Sequence, residues 1–164
     1  MDLYFDHPHQ SDLNSIMAIE KAGFSAKEAA SVQAMTERIK LINDTFLVAR
    51  NPKNNQVIGY IVGPSFNQRY LNDRLYRKVI PNQKNDEYLA VLSLAVSPKF
   101  RKKGIGGQLL DEYAKVASSQ NRKGITLTCL KNKILFYQRH GYKNEGTSHS
   151  SHADEIWYNM VLDL

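Results

Sequence analysis

A cluster of glycines beside basic residues is the part of this sequence best suited to bind another molecule. Residues 92–110 read LSLAVSPKFRKKGIGGQLL: an apolar run ends at Pro98, four basic residues follow, and three of the nine glycines fall within four positions. A helical pattern begins directly after them. Glycine permits a tight turn and close approach to its N–H groups, and a helix N-terminus adds unpaired donors and a positive dipole end. The segment therefore predicts an anion site, best suited to phosphate groups.

The glycine spacing separates this loop from two common phosphate-binding motifs. No Lys-Ser or Lys-Thr pair follows the glycines, and position 109 is Leu where G-x-G-x-x-G needs its third glycine. The pattern that fits is Arg101-x-x-Gly104-x-Gly106. It resembles the [RQ]-x-x-G-x-[GA] pyrophosphate loop of the GNAT (Gcn5-related) N-acetyltransferases, which bind acetyl-CoA. From the loop alone, a tight strand-to-helix turn with a solvated basic rim stays open as a second interpretation.

A later segment extends the resemblance. From Thr126 the chain reads TLTCLKNKILFYQRHGYKNEG, in which Phe136-Tyr137 and His140-Gly141-Tyr142 are similar to the FY-x-x-x-G-[FY] segment of GNAT enzymes. Residues 127–129 and the tail at 148–160 look like those of the arylalkylamine N-acetyltransferase-like group. The resemblance covers essentially the whole chain and is most specific over residues 92–146.

The composition fits one globular domain. The 164 residues, 42% hydrophobic and 23% charged, suit a single acetyltransferase domain over 1–164, and the formal net charge of +6 is compatible with an acidic ligand. The single cysteine, Cys129, lies in an apolar run, which predicts a small core residue and a reducing compartment. The first residues do not read as a signal peptide, and no apolar run approaches a membrane span. We therefore expect a cytoplasmic protein without a membrane partner.

The pattern of apolar residues and turn signals predicts a mixed α/β fold. Ser25-x-x-Glu28 is a capping-box signature that predicts a second helix through about residue 41, and residues 88–96 predict one central strand. The other expected elements are strands at 3–6, 45–50, 57–62, 124–130, 142–144 and 156–162 and helices at 12 to about 22, 105–119 and 134–140. The resemblance implies the GNAT acyl-CoA N-acyltransferase fold, a mixed central sheet with helices on both faces and a splay at the central strand.

The resemblance also implies how acetyl-CoA is held. In GNAT enzymes pantetheine pairs with the splayed central strand, and the glycine loop wraps the pyrophosphate. Carried to matching positions, the expected binding residues are Leu94, Ala95, Val96, Arg101, Lys102, Lys103, Gly104, Ile105, Gly106, Gly107, Asn132 and Phe136. Many GNAT enzymes carry an asparagine seven residues before the tyrosine, where this chain has Leu130; the nearby Asn132 is the substitute. No metal is expected.

Tyr137 is the candidate catalytic residue. A phenol with an unperturbed pKa near 10 is protonated at neutral pH and can give a proton to a departing thiolate. The GNAT family places a tyrosine in this helix beside the cofactor sulfur, and Tyr137 matches it. The alternative role is an aromatic anchor, although the adjacent Phe136 suits that packing role better.

The general base and the amine pocket are less defined. Animal arylalkylamine enzymes carry a histidine pair where this chain has Ala90 and Leu92, so that proton route is missing. The remaining candidates for the base are Glu28, Glu87, His149 and His152, with water and backbone carbonyls as alternatives. An aromatic wall suited to an arylalkylamine is available in Phe24, Tyr70, Tyr88 and Trp157, any of which can equally be core or surface residues.

These observations predict an enzyme that moves an acetyl group from acetyl-CoA to a primary amine by direct attack in a ternary complex. A small amine is favoured, with aromatic amines among the candidates. The alternatives are a protein or peptide N-acetyltransferase and a non-catalytic acetyl-CoA-binding regulatory module. The basic cluster is short and lacks interleaved aromatic residues, so no nucleic-acid partner is expected. Monomer and homodimer both remain open.

Overall fold

The structure, a computed structural model, describes residues 2–164, which fold into helices packed on two joined sheets. The strands are β1 Tyr4–Asp6, β2 Phe46–Arg50, β3 Val57–Val62, β4 Ser65–Phe66, β5 Tyr88–Ala90, β6 Ser93–Val96, β7 Gly124–Cys129, β8 Lys143–Thr147 and β9 Tyr158–Asp163. The helices are α1 Leu13–Gly23, α2 Val32–Leu41, α3 Arg74–Arg77, α4 Ile105–Ser119 and α5 Ile134–Arg139.

The strands form one four-stranded and one five-stranded sheet. The first has the order β1-β2-β3-β6 and the second β4-β5-β7-β9-β8. The pair β5–β7 is parallel and the other pairs are antiparallel. This mixed α/β architecture confirms the predicted fold class.

The predicted central strand over residues 88–96 divides between the two sheets. The Val91 N–H donates to the Thr126 carbonyl at 3.0 Å, toward β7, whereas the Leu92 N–H donates to the Val62 carbonyl at 2.8 Å, toward β3. The chain therefore changes partner between these two residues, and β5 and β6 lie in different sheets. This change produces the expected splay, because β6 leaves β7 and keeps β3 as its neighbour.

A tyrosine and a glycine fix the crossing point. The buried Tyr113 hydroxyl of α4 donates to the Ala90 carbonyl at 2.8 Å and the Gly63 carbonyl at 3.2 Å. A Cβ on Gly63 would lie 1.8 Å from the Ala90 oxygen, so only glycine allows the chain after β3 to pass so close to β5. The two sheets are thus joined by close backbone contact.

Two apolar clusters lie on opposite faces of this arrangement. The larger packs α4 and Tyr137 of α5 against strands of both sheets and includes Ile58, Leu109 and Leu127. The smaller packs α1 and α2 on the other face and includes Ile16 and Ala95. Helices on both faces hold the divided strand in place.

The predicted start of α2 is wrong. Ser25 and Glu28 do form the capping box, with the Ser25 N–H donating to Glu28 Oε1 at 3.0 Å and the Glu28 N–H donating to Ser25 Oγ at 3.3 Å. The box closes only a turn, and α2 begins later, where Ser31 Oγ accepts from the Ala34 N–H at 3.0 Å. Two capping sequences lie in series, and the second one starts the helix.

Candidate active site

A cavity of about 1400 Å³ opens where the two sheets separate. Residues of β6, the end of β7, the first turn of α4 and α5 line one part of it. Residues of α1, α2, the segment 73–77 and the loop at 151–157 line the rest. Tyr137 and every predicted cofactor-binding residue except Lys103 lie on the cavity wall. Segments that are distant in the sequence therefore meet at this opening.

The open edge of β6 faces this cavity. The Ser97 N–H donates to the Ile58 carbonyl at 2.8 Å, and the β3–β6 register pairs Gly59 with Val96. Because hydrogen bonding alternates along an antiparallel strand, Leu94 and Val96 turn their backbone groups away from β3. That side of β6 has no neighbouring strand within residues 2–164, so an extended ligand can pair there.

The glycine loop presents the N-terminus of α4 to the same cavity. Gly104 has a φ of 77°, a left-handed conformation that favours glycine, and no side chain among residues 2–164 caps the helix. The Gln108 N–H donates to the Gly104 carbonyl at 3.1 Å, which leaves the N–H groups of the preceding turn without acceptors inside the helix. These donors and the helix dipole form the geometry that an anion site requires.

The basic residues of the loop have different surroundings. Arg101 Nε donates to the Val96 carbonyl at 3.3 Å, so this side chain braces the loop against β6. Lys102 is exposed and lines the cavity. Lys103 lies outside the cavity, with its Nζ 5.7 Å from the centre of the Phe100 ring.

Two of the glycines also allow α5 to pack against α4, a role that the sequence analysis missed. A Cβ on Gly107 would lie 2.5 Å from His140 Cε1, and one on Gly106 would lie 3.3 Å from Phe136 Cζ. Their missing side chains therefore bring Phe136 and Tyr137 to the loop. A substitution at Gly106 would disturb Phe136 as well as any bound ligand.

Tyr137 is buried among aromatic residues at the end of β7. Its ring centre lies 5.1 Å from that of Phe136 and 5.6 Å from that of Tyr142, both in edge geometry. Burial raises the pKa of Tyr137, and the nearby Cys129 and Tyr76 add to the rise. No other residue within 2–164 hydrogen-bonds to its hydroxyl, and the side chain lines the cavity. The phenol is therefore protonated at neutral pH and free to donate.

The structure also locates Cys129. The side chain is 4% exposed, and burial raises the pKa of its thiol to about 11. The predicted core position is confirmed, and the thiol stays protonated at neutral pH.

The predicted candidates for the general base divide between the cavity and the surface. Glu28 and His152 line the cavity. Glu87 lies outside it and pairs with Lys123 at 3.4 Å, and His149 is exposed and also lies outside.

The predicted aromatic wall forms only in part. Phe24 and Trp157 line the cavity, whereas Tyr70 and Tyr88 do not. The Tyr70 hydroxyl donates to Glu145 at 2.7 Å, and the Tyr88 hydroxyl accepts from Arg69 at 3.2 Å.

A different aromatic group completes the wall. His152 stacks on Tyr76 with ring centres 5.2 Å apart and lies 5.8 Å from the Trp157 ring. Trp157 Nε1 donates to the His152 carbonyl at 2.7 Å, and the Ser150 hydroxyl donates to Asp73 at 2.6 Å. These contacts join the loop at 150–157 to Asp73 and Tyr76 in the segment around α3, so the two segments form one surface.

Two buried charged residues of the cavity wall were also missed. Glu20 and Arg38 are each 1% exposed. Glu20 accepts hydrogen bonds from the Tyr60 hydroxyl, from the Ala30 N–H at 2.8 Å and from the Ser93 hydroxyl at 3.4 Å.

The sequence carries a signal for both. Glu20 stands four residues after Ile16, and Arg38 stands three after Met35 and four before Ile42, so each lies on an apolar helix face. A charge at such a position indicates a buried polar group with a specific role.

Within residues 2–164, no cluster of three or more His, Cys, Asp or Glu side chains is arranged to hold a metal ion. No helix in the same range has the length and apolar character needed to cross a bilayer.

The sequence also matches a family model. The model described as "Acetyltransferase (GNAT) domain" matches residues 43–144, more than half of the 164 residues. The chain belongs to the GNAT acetyltransferase family, whose members are acyl-CoA-dependent acetyltransferases. Comparison with curated protein sequences finds no match.

Solved structures share the fold at low sequence identity. Ard1 from Thermoplasma volcanium aligns with a TM-score of 0.79 at 18% identity, covering 100% of this chain and 99% of its own. The loading GNATL domain of CurA from Lyngbya majuscula gives 0.81 at 14% identity, covering 99% and 98%. Arabidopsis thaliana Naa50, in complex with the bisubstrate analogue CoA-Ac-MVNAL, gives 0.75 at 16% identity, covering 100% of both chains. At this identity the likeness establishes the fold.

Proposed function

We propose that this protein transfers the acetyl group of acetyl-CoA to the primary amine of a small molecule. The observation that carries the proposal is the convergence of three features on one cavity. These are the open edge of β6, the uncapped start of α4 and the free hydroxyl of Tyr137. Each feature matches one requirement of the reaction, namely pantetheine pairing, phosphate binding and proton donation.

The part of the cavity formed by β6, residues 101–107 and α5 is here called the donor wall. The Leu94 backbone and the Val96 N–H offer hydrogen bonds to an extended pantetheine chain, whereas the Val96 carbonyl already accepts from Arg101 Nε. The first turn of α4 offers N–H groups to the pyrophosphate, with Lys102 adding positive charge at the rim. Phe136 and Asn132 line the same wall.

The chemistry assigned to the donor wall is a direct transfer. A neutral amine attacks the thioester carbonyl, a C–N bond forms, and the C–S bond then breaks to release the CoA thiolate. We assign to Tyr137 the donation of the proton that this thiolate takes up. The proton lost by the amine leaves toward the other side of the cavity, where Glu28 and His152 are the predicted acceptors that line it.

The part of the cavity formed by Glu20, Arg38, Tyr76, His152 and Trp157 is here called the acceptor wall. Its aromatic rings and buried charges suit a compact amine, and the aromatic contacts support the proposed likeness to arylalkylamine N-acetyltransferases. The shared core of the two sheets supports treating residues 1–164 as one acetyltransferase domain.

A thiol-release assay with acetyl-CoA tests the proposal. It compares aromatic amines and amino acids, polyamines and short peptides at equal concentration. We expect release with small amines and little with peptides. Release with peptides alone would replace the proposal with peptide N-acetylation. Tight acetyl-CoA binding without release by any amine would indicate a regulatory module instead.

A further inference from the structure

The Arg38 guanidinium is buried in the acceptor wall without hydrogen-bond partners for two of its nitrogens. The residue is 1% exposed and lines the cavity, and its Nε and Nη1 have no partner within residues 2–164. A buried charged group without partners is costly, whereas a paired one is tolerated. The arrangement therefore fits a side chain whose partner is a ligand that enters the cavity.

The nearest buried acid does not fill this role. Glu20 is close enough for its charge to act on Arg38, but the two side chains form no ion pair within 4.0 Å. Tyr60, Ala30 and Ser93 already donate to the two Glu20 oxygens. Burial lowers the pKa of Arg38, and Glu20 opposes that change. The guanidinium stays charged because arginine is protonated at all ordinary pH values.

Arg38 lines the same cavity as the residues assigned to the proposed chemistry. Burial raises the pKa of the Tyr76 phenol, and the charge of Arg38 partly offsets the rise. Tyr76 in turn adds to the raised pKa of Tyr137. Arg38, Tyr76 and Tyr137 all line the same cavity, so a ligand bound there can lie between Arg38 and the residues of the donor wall.

The charges around the acceptor wall have both signs. Glu28 and Asp73 line the cavity with Glu20, while Arg38 and Arg77 line it with the opposite charge. A ligand with an ammonium and an anionic group would meet partners for each. The planar fork of arginine fits a carboxylate, which accepts two parallel N–H bonds.

We propose that Arg38 binds the carboxylate of the amine substrate, so that the substrates are amino acids or related amino carboxylic acids. This inference rests on the proposed function and narrows its substrate class. The carboxylate fixes one end of the molecule at Arg38 and leaves the amine to face the thioester.

Matched substrates test this assignment. The first set is phenylalanine, phenylalaninamide and phenethylamine, which share a ring and an amine and of which only phenylalanine has a carboxylate. The second set, lysine and cadaverine, repeats the comparison without an aromatic ring. We expect the wild-type protein to prefer each acid by roughly 10- to 100-fold in kcat/KM, the range for hydrogen bonds to a charged group. Arg38→Met should abolish the preference, because kcat/KM should fall much more for the acids than for the decarboxylated amines.

A binding measurement gives a second readout. Phenylpropionate, which has the carboxylate without the amine, should compete with the amine in the wild-type protein and not in Arg38→Met. Arg38→Lys keeps the charge without the fork and should be intermediate. The acetyl-CoA dissociation constant should change by less than about three-fold in both variants, because Arg38 lies outside the donor wall.

The outcomes separate the two proposals. Acetyl transfer that proceeds equally well with and without the carboxylate overturns the Arg38 assignment and leaves the proposed function intact. A preference that persists in Arg38→Met overturns it as well. Transfer to none of the amines overturns the proposed function itself. If Arg38→Met does not fold, the Arg38 assignment is tested by three other measurements. These are the substrate preference of the wild-type protein, its competition by phenylpropionate, and both measurements in Arg38→Lys.

Discussion

The donor wall and the acceptor wall of the cavity are built in different ways. The donor wall comes mainly from two short stretches, residues 94–107 and 132–137, and much of it presents backbone groups. The acceptor wall takes single side chains from α1, α2, α3 and the loop at 151–157. Glycines and a strand edge define the first wall, whereas buried charges and stacked rings define the second.

This difference bears on what each wall can recognise. Backbone donors arranged by glycine spacing leave a sequence pattern, because few residue types permit the geometry. Side chains that come from four segments distant in the sequence leave no local sequence pattern, and each can be substituted without changing the others. The acetyl donor should therefore be common to many related proteins, whereas the choice of amine should be particular to this one.

Tyr137→Phe gives the largest expected effect. The ring and its packing remain while the hydroxyl is lost, so kcat should fall by roughly 10²–10⁴-fold if it donates a proton in the transition state. The acetyl-CoA dissociation constant and the melting temperature should hardly change. Because burial raises the pKa of Tyr137, the wild-type phenol should keep its proton to high pH, and its ionisation should not limit activity up to about pH 10.

Steady-state kinetics with isothermal titration of acetyl-CoA checks this prediction. A phenylalanine variant with normal kcat would reduce Tyr137 to a packing residue and leave proton transfer to water.

Gly104→Val tests the backbone character of the donor wall, with Gly146→Val as its matched control. Both glycines have a positive φ, 77° and 99°, and no atom of residues 2–164 lies within 4 Å of a Cβ added to either one. Both variants should suffer backbone strain of at least about 1–2 kcal/mol, the ordinary cost of a side chain in a left-handed conformation, and thermal melts show how far the two costs differ. Only Gly104 lies at the cavity, so the acetyl-CoA dissociation constant should rise ten-fold or more there and stay near normal in Gly146→Val.

Calorimetric titration and thermal melts measure the two effects separately. Equal loss of affinity in both variants would show that strain, rather than the loop, controls binding.

Arg69→Ala should act on the acceptor wall alone. Arg69 pairs with Glu145 at 2.7 Å and with Asp163 at 2.9 Å, and so anchors the segment that carries Tyr76. Its loss should raise the amine KM by roughly two- to five-fold, in line with partly exposed ion pairs, with acetyl-CoA affinity unchanged. Lys115→Ala, which removes the exposed pair with Glu112, is the control.

The same network predicts an acid dependence. Arg69 lowers the pKa of Glu145 from 4.5 to about 2. The contribution of the Glu145 carboxylate to the stability of the folded protein is therefore complete above about pH 4.5 and is lost as the pH falls toward 2. A melting-temperature profile over this range should be flatter in Glu145→Gln than in the wild-type protein.

Lys102→Ala and Lys103→Ala give the smallest expected effects. Lys102 lines the cavity and Lys103 lies over Phe100 outside it. At low salt the first should weaken acetyl-CoA binding by no more than about three-fold, and the second should have no measurable effect. Salt near 0.15 M should remove most of the difference, because exposed charges are screened within about 8 Å. Equal effects of the two substitutions on acetyl-CoA binding would indicate that the overall positive charge of the loop, rather than a contact made by Lys102, attracts the ligand.

The sequence predicted the donor wall better than the acceptor wall for physical reasons. The glycine loop and the helix after it follow from local backbone requirements, and the resemblance to GNAT enzymes placed Phe136-Tyr137 beside the cofactor that this loop is expected to bind. No local sequence pattern predicts the change of hydrogen-bond partner between Val91 and Leu92. This change depends on which strands compete for hydrogen bonds on either side. The start of α2 was misplaced because the first of two caps was taken as the helix start.

Arg38 and Glu20 occupy positions that the sequence pattern marks as unusual. Each interrupts the apolar face of a helix, and such an interruption is visible without a structure. Their common location could not be predicted from the sequence, because it depends on how α1 and α2 pack against the sheet.

The open edge of β6 has a consequence for the lifetime of the protein. A strand edge with free N–H and C=O groups is a template on which another polypeptide can add a strand and begin aggregation. A co-substrate that pairs with this edge would block that route, and at 100 times its dissociation constant would stabilise the native state by about 2.7 kcal/mol. If acetyl-CoA is that co-substrate, its concentration would affect the resistance of the protein to aggregation as well as its rate of acetyl transfer.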